Sequence, residues 1–174
     1  MMPIPTHLRG LVAPMEDSSN EEHLDAMVRC PCHSDSFEFL YPGDTKEHNG
    51  IAIAVTAERD GAFFFRIEAR CVVCRQVHLL FDKDFHGWDG YICHDQKQAV
   101  LPRPALQAWN CGKCGSVPHG GRISIYGEGK DDFVENAADF PPDRWPDGFG
   151  WFYLSLACKS CGYEIDHWVN YETM

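Results

Sequence analysis

Residues 62–82 read AFFFRIEARCVVCRQVHLLFD, and residues 150–171 read GWFYLSLACKSCGYEIDHWVNY. Setting Cys71 against Cys158 brings Phe65, Ile67 and Ala69 opposite Phe152, Leu154 and Leu156. Apolar residues at every second position mean an extended strand that turns one face to a core, and both strands run straight into a CxxC couplet. Such a couplet sets two thiols side by side on one tight turn, a knuckle that can grip one edge of a tetrahedral ion. The shared phase points to an internal repeat; coincidence between unrelated knuckles is the competing explanation.

Working outward, CysProCysHisSer at 30–34 stands opposite CysGlyLysCysGlySer at 111–116, one residue shorter. Each repeat then reads couplet, strand, connection, strand, couplet, strand. The first is expected to use strands over 37–41, 51–57, 63–70 and 77–81, with GluArgAspGly at 58–61 as a hairpin turn. The second uses 122–126, 151–157 and 164–171. The expected fold class is mainly β: two β units related by the repeat, with irregular loops and little helix.

Composition shifts divide the chain further. Residues 1–22 form an N-terminal arm, in which Ser19 and Glu22 fit the capping box of a short helix. The first unit covers 23–85, and a connector or flap covers 86–105, where Gly87, Gly90, Pro102 and Pro104 interrupt regular structure. The second unit covers 106–174. Within it, 127–149 holds Pro141, Pro142 and Pro146 and seven acids against two bases, and reads as an acidic loop.

Eight of the nine cysteines lie in the four couplets. Four couplets permit three pairings, including an interleaved cross-brace; sequential pairing gives each repeat a complete site. Cys30, Cys32, Cys71 and Cys74 would hold one Zn²⁺, and Cys111, Cys114, Cys158 and Cys161 a second. Four disulfides in a secreted protein is the alternative, set aside because no secretory signal opens the chain and the thiol pattern suits a reducing cytoplasm. His33 offers a CxxH couplet with Cys30 in place of Cys32, but it stands opposite Gly115, a turn position. Four thiolates close a tetrahedral shell and leave no place for water or substrate, so the ions are expected to be structural. Each half is also small enough for a bound metal to matter to its folding.

These couplets and their adjoining strands resemble zinc-ribbon proteins, in which two knuckles on β-hairpins share one Zn²⁺; Cys111, Cys114, Cys158 and Cys161 make the cleaner match. The resemblance implies a structural class, not an activity. The CysProCys couplet and the long separations within each pair depart from the usual pattern and imply inserts within the ribbons.

Fifteen Lys and Arg against 26 Asp and Glu give a net charge of −11. Two Zn(Cys)₄ centres would each add about −2. Neither half carries the positive stripe that displaces counterions from phosphate, and no stretch approaches the apolar length of a membrane span. The expected role is noncatalytic: a structural-zinc protein acting as a protein–protein interaction or regulatory adaptor, its partner basic or neutral. A nucleic-acid-associated zinc-ribbon protein is the first alternative, because Arg66, Arg70 and Arg75 cluster around the second couplet. An enzyme built on 82–95 is the other, with His86, Asp89, His94 and Asp95 near Trp88, Tyr91 and Cys93; Cys93 itself reads as a packed or idle thiol rather than a nucleophile. Trp145, Phe149 and Trp151 around the acidic loop suggest a docking edge, although Trp151 also begins a core strand.

Overall fold

Alternating burial along two strands, Arg66–Cys71 and Trp151–Cys158, organises the molecule: every second side chain of each enters one core. The computed structural model describes residues 2–92, 103–137 and 139–173. Along the chain the strands are β1 (Val12–Pro14), β2 (His23–Val28), β3 (Phe37–Tyr41), β4 (Thr45–His48), β5 (Ile51–Ala54), β6 (Ala57–Arg59), β7 (Ala62–Phe64), β8 (Arg66–Cys71), β9 (Val77–Asp82), β10 (Gln107–Ala108), β11 (His119–Tyr126), β12 (Trp151–Cys158) and β13 (Glu164–Glu172). Two short helices join them, α1 (Gly87–Tyr91) and α2 (Lys130–Asn136), with 3-10 turns at Thr6–Leu8, Glu16–Ser18 and Pro142–Asp147. The fold is mostly β, as the period-two pattern required.

The repeat holds at the level of register. β3 pairs with β8 so that Phe37 faces Cys71, and β11 pairs with β12 so that His119 faces Cys158. Phe37 and His119 each lie five residues past the upstream couplet. β9 and β13 then add to the far sides of β8 and β12, and both pairs slip register starting four residues before the cysteine, at Ile67 and at Leu154.

The repeats are also joined reciprocally. β2, which leads into Cys30, pairs with β11 of the other repeat, Met27 facing Arg122; β10, which leads into Cys111, pairs with β3, Ala108 facing Leu40. Met27 and Ala108 are three residues before their couplets, and Arg122 and Leu40 eight residues after theirs. Phe37 and His119 meet in an antiparallel bridge, the contact that an approximate two-fold axis makes between equivalent residues. One nine-stranded antiparallel sheet results, and the stretches 23–85 and 106–174 do not form separate sheets.

Near the crossing, Gly121 lies where a Cβ would come within 2.6 Å of the Phe39 ring and 3.0 Å of Val28. Gly121 and Phe39 are equivalent positions, seven residues past their couplets, so the ring of one repeat fills the space left by the glycine of the other. Asp25 of β2 accepts a 2.7 Å hydrogen bond from Ser124 of β11, tying the exchanged strand with a buried polar contact.

Several local expectations change. Within residues 1–22, expected as an N-terminal arm, Met2 and Leu8 belong to the core and Val12–Pro14 pairs with β2. Ser19 starts no helix; its hydroxyl donates to Met15 O at 2.8 Å and accepts from Asp25 N–H, and the chain passes into β2. The strand expected over 51–57 divides into β5 and the start of β6, and that over 63–70 into β7 and β8, since β4–β5 and β6–β7 are separate hairpins off the main sheet. The turn at 58–61 is as expected, with Asp60 and Gly61 both at positive φ. The acidic loop 127–149 is not a strand, but it contains α2 and a 3-10 turn; Phe133, Trp145 and Phe149 bury themselves and remove the proposed docking edge there. Trp151 sits half-buried at the start of β12.

Candidate metal centres

Each couplet closes a turn whose last residue is left-handed. The residue after the second cysteine is His33, Arg75, Gly115 or Gly162, with φ of 70°, 62°, 74° and 70°. In the three CxxC turns, the N–H of that residue returns to the first cysteine's carbonyl: Arg75 to Cys71, Gly115 to Cys111 and Gly162 to Cys158. In CysProCys the same role falls to His33, whose N–H donates to Cys30 O at 2.8 Å one residue earlier. The shorter couplet therefore makes an equivalent knuckle with the turn tightened by one residue, and His33 occupies the turn position that its alignment with Gly115 implied.

In all four couplets the first cysteine is buried and the second exposed. The knuckles bring the thiols of Cys30, Cys32, Cys71 and Cys74 together, and those of Cys111, Cys114, Cys158 and Cys161, each set within 4.8 Å of one another. The grouping is sequential, and the thiol in the first group is Cys32, not His33. Closest approaches are the same in kind: Cys30–Cys74 at 3.5 Å and Cys32–Cys71 at 3.6 Å, against Cys111–Cys161 at 3.7 Å and Cys114–Cys158 at 3.6 Å. A disulfide requires about 2.05 Å. Zn–S bonds of about 2.3 Å in a tetrahedron give an S···S edge of about 3.8 Å, close to what the thiols show. The donor set and spacing thus fit a metal ion.

Backbone N–H groups aimed at sulfur set the electrostatics. Burial works to raise Cys71, but N–H groups of Cys74 and Val73, with Cys32 and Ser34, outweigh it and bring the thiol down to about 6. Burial likewise opposes ionisation of Cys158, and the N–H groups of Cys161 and Ser160 with two neighbouring thiols bring it down to about 7. Cys30 is pushed up to about 12, by burial first and by sharing protons with the other three thiols. Cys114 also rises to about 12: an N–H from Ser116 favours its thiolate, but Cys161, burial and the remaining thiols prevail. Four sulfurs at this spacing cannot all carry charge without a cation between them.

One neighbour escaped sequence reasoning. His78, four residues past Cys74, places Nε2 3.4 Å from Cys30 Sγ. Its equivalent in the second repeat is Ile165, which is buried in the core. Only the repeat alignment could have drawn attention to this difference.

The other candidates are largely engaged in structure. Arg66 pairs with Glu68 at 2.5 Å and with Asp82 at 3.5 Å, while Arg70 and Arg75 both bind Glu38, at 3.0 and 2.8 Å. In the 82–95 segment, buried Asp82 and Asp84 hold Arg103, and His86 accepts a hydrogen bond from Asp82 N–H and stacks on His7 with ring centroids 3.7 Å apart. Asp89 lies on α1, and Cys93, His94 and Asp95 fall outside the described residues. Among the described residues no helix is long and apolar enough to cross a membrane.

Compared with protein-family models, curated proteins and solved structures, the chain matches none of them.

Proposed function

We propose that this chain is a noncatalytic zinc protein in which each cysteine group holds one structural Zn²⁺, and that the rigid sheet so fastened serves as an interaction module, an adaptor or regulatory subunit in a reducing compartment such as the cytoplasm. The observation that carries the reading is the donor arrangement: two sets of four thiols, each from two knuckles and within 4.8 Å. Four thiolates satisfy a tetrahedral ion completely, which suits a fastening role rather than the activation of water. The net charge of −11 favours a basic or neutral protein partner and raises the rate of its encounter. A nucleic-acid role loses support from the arginines around Cys71 and Cys74, which are already held by carboxylates.

Elemental analysis of purified protein tests the metal half of the proposal, with two zinc ions per chain expected; a folded, metal-free chain indifferent to chelators would sink it. Affinity capture with zinc retained tests the interaction half. Enrichment of a protein is expected, whereas turnover of a small molecule with no protein retained would replace it.

A further inference from the structure

The short knuckle of the first centre has fewer amides to direct at its leading sulfur. In the turn after Cys71, Val72 N–H donates to Ser36 O, the N–H groups of Val73 and Cys74 go to Cys71 Sγ, and Arg75 N–H returns to Cys71 O. The turn after Cys158 repeats this bond for bond: Lys159 N–H to Pro118 O, Ser160 and Cys161 N–H to Cys158 Sγ, Gly162 N–H to Cys158 O. Between Cys30 and His33 the pattern is cut short. Pro31 has no N–H, His33 N–H is taken by Cys30 O at 2.8 Å, and Cys32 N–H is the knuckle donor that remains for Cys30 Sγ.

Cys30 is also the sulfur that His78 meets. β9 runs antiparallel to β8 with His78 opposite Ala69, and from there the half-buried ring sets Nε2 3.4 Å from Cys30 Sγ. A metal-bound thiolate offers lone pairs and no proton, so the contact requires a ring whose Nε2 carries a hydrogen and donates it. At the second centre the counterpart of Cys30 is Cys111, which heads a turn one residue longer, closed by Gly115 N–H on Cys111 O. There the position of His78 is filled by Ile165, whose alkyl side chain lies in the core. The extra donor thus accompanies the shortened turn.

We propose that His78 is a positioning residue of the first metal centre, its Nε2–H standing in for the amide that the CysProCys knuckle lacks and holding the Cys30 thiolate toward the ion. The proposal rests on the metal reading above and deepens it. Partners of this kind orient a ligand and draw charge from it without touching the metal, and their loss loosens the ion's hold. Ile165 has no such task, because the longer turn at Cys111 does not lose the residue that supplies the second donor at Cys71 and Cys158.

The test uses the full chain in two forms: loaded with an NMR-active cadmium isotope, whose resonance at the first centre is identified by coupling to the Cys30 methylene, and loaded with zinc for transfer to a chromophoric chelator. His78→Ile should move that resonance and speed zinc loss from the first centre a few-fold. His78→Gln, whose side-chain amide also donates, should return both toward native values. A glycine inserted between Pro31 and Cys32 restores a full-length turn, and in that chain His78→Ile should have little effect on either measurement. An unmoved resonance in His78→Ile, no rescue by His78→Gln, or undiminished sensitivity after the insertion would overturn the role. Should the inserted chain not fold, the Ile and Gln variants decide between them. A native chain that takes up neither ion would instead sink the metal reading itself.

Discussion

At the first cysteine group His78 directs a ring nitrogen to Cys30, and at the second the same position holds Ile165 in the core. The knuckles around them are otherwise alike, from the left-handed residue after each couplet to the S···S approaches. Knuckle geometry therefore tolerates the loss of a residue in CysProCys and a change of neighbour from imidazole to alkyl. What differs is the surroundings of sulfur. With Cys30 ionised, an Nε2–H from His78 would donate to its sulfur and draw charge from it, whereas Ile165 offers no donor. The outer strands differ in the same spirit: β9 is partly covered by the chain's own N-terminal segment, and β13 borders an open groove.

The largest effect should come from asking whether either repeat stands alone. A fragment of 106–174 lacks β2 and leaves the β11 edge unpaired, so even with zinc it is expected to remain unfolded or to associate, and equimolar 1–105 should restore native-like circular dichroism. For the same reason Cys158→Ser should cost more than about 5 kcal/mol and unfold both halves in one calorimetric transition. Two separated transitions would show that the repeats are independent and that the strand exchange does not couple them.

Gly121→Ala probes the crossing itself. Its Cβ meets the Phe39 ring, and overpacking of about 1–3 kcal/mol is expected in chemical denaturation. The pairing of a small residue with its large equivalent implies that Phe39→Leu in the same chain recovers part of the loss. No recovery would mean that the strain lies elsewhere.

The covered edge of β9 should make stability depend on pH. Burial, aided by His86, lowers His7 from the ordinary 6.5 to about 3; burial, against the pull of Asp82 and Asp147, lowers His86 to about 4. As pH falls below 6.5 the unfolded chain takes up these protons before the folded one does, so the stability is full near neutrality and declines toward the folded values. Between pH 7 and 5.5, each histidine should account for about 1 kcal/mol. Melting at saturating zinc should show this slope, reduced in His7→Phe; an unchanged slope would remove the histidine stack from the explanation.

The smallest effect belongs to the sulfur neighbours. His78→Ile copies the second centre into the first, and after cobalt substitution only the first centre's thiolate-to-metal absorption should shift, with metal transfer to a chelator changing there by a few-fold. Equal change at both centres would mean that His78 acts through the fold rather than on Cys30.

Much of the frame was legible along the chain because its causes are local. Phe65, Ile67 and Ala69 against Phe152, Leu154 and Leu156 gave the core faces, and all six are buried. The couplets and their sequential grouping followed from spacing and symmetry. Less legible were segments whose structure depends on distant neighbours. Trp145 looked available for docking beside so many acids, yet it is buried in the core, near α2 and α1. Ser19 had the residues of a helix cap, but a strand partner at Asp25 won the hydroxyl.

Alternation and cysteine spacing by themselves determined a β protein with four knuckles in two related halves, since side-chain direction and couplet reach are properties of a few consecutive residues. Only the tertiary structure decided that β2 and β10 cross to the opposite repeat, that the N-terminal segment covers β9, and that β13 borders a groove. Those outcomes depend on which distant backbone edges meet in register, and a period-two pattern is equally satisfied by any partner that buries its apolar face.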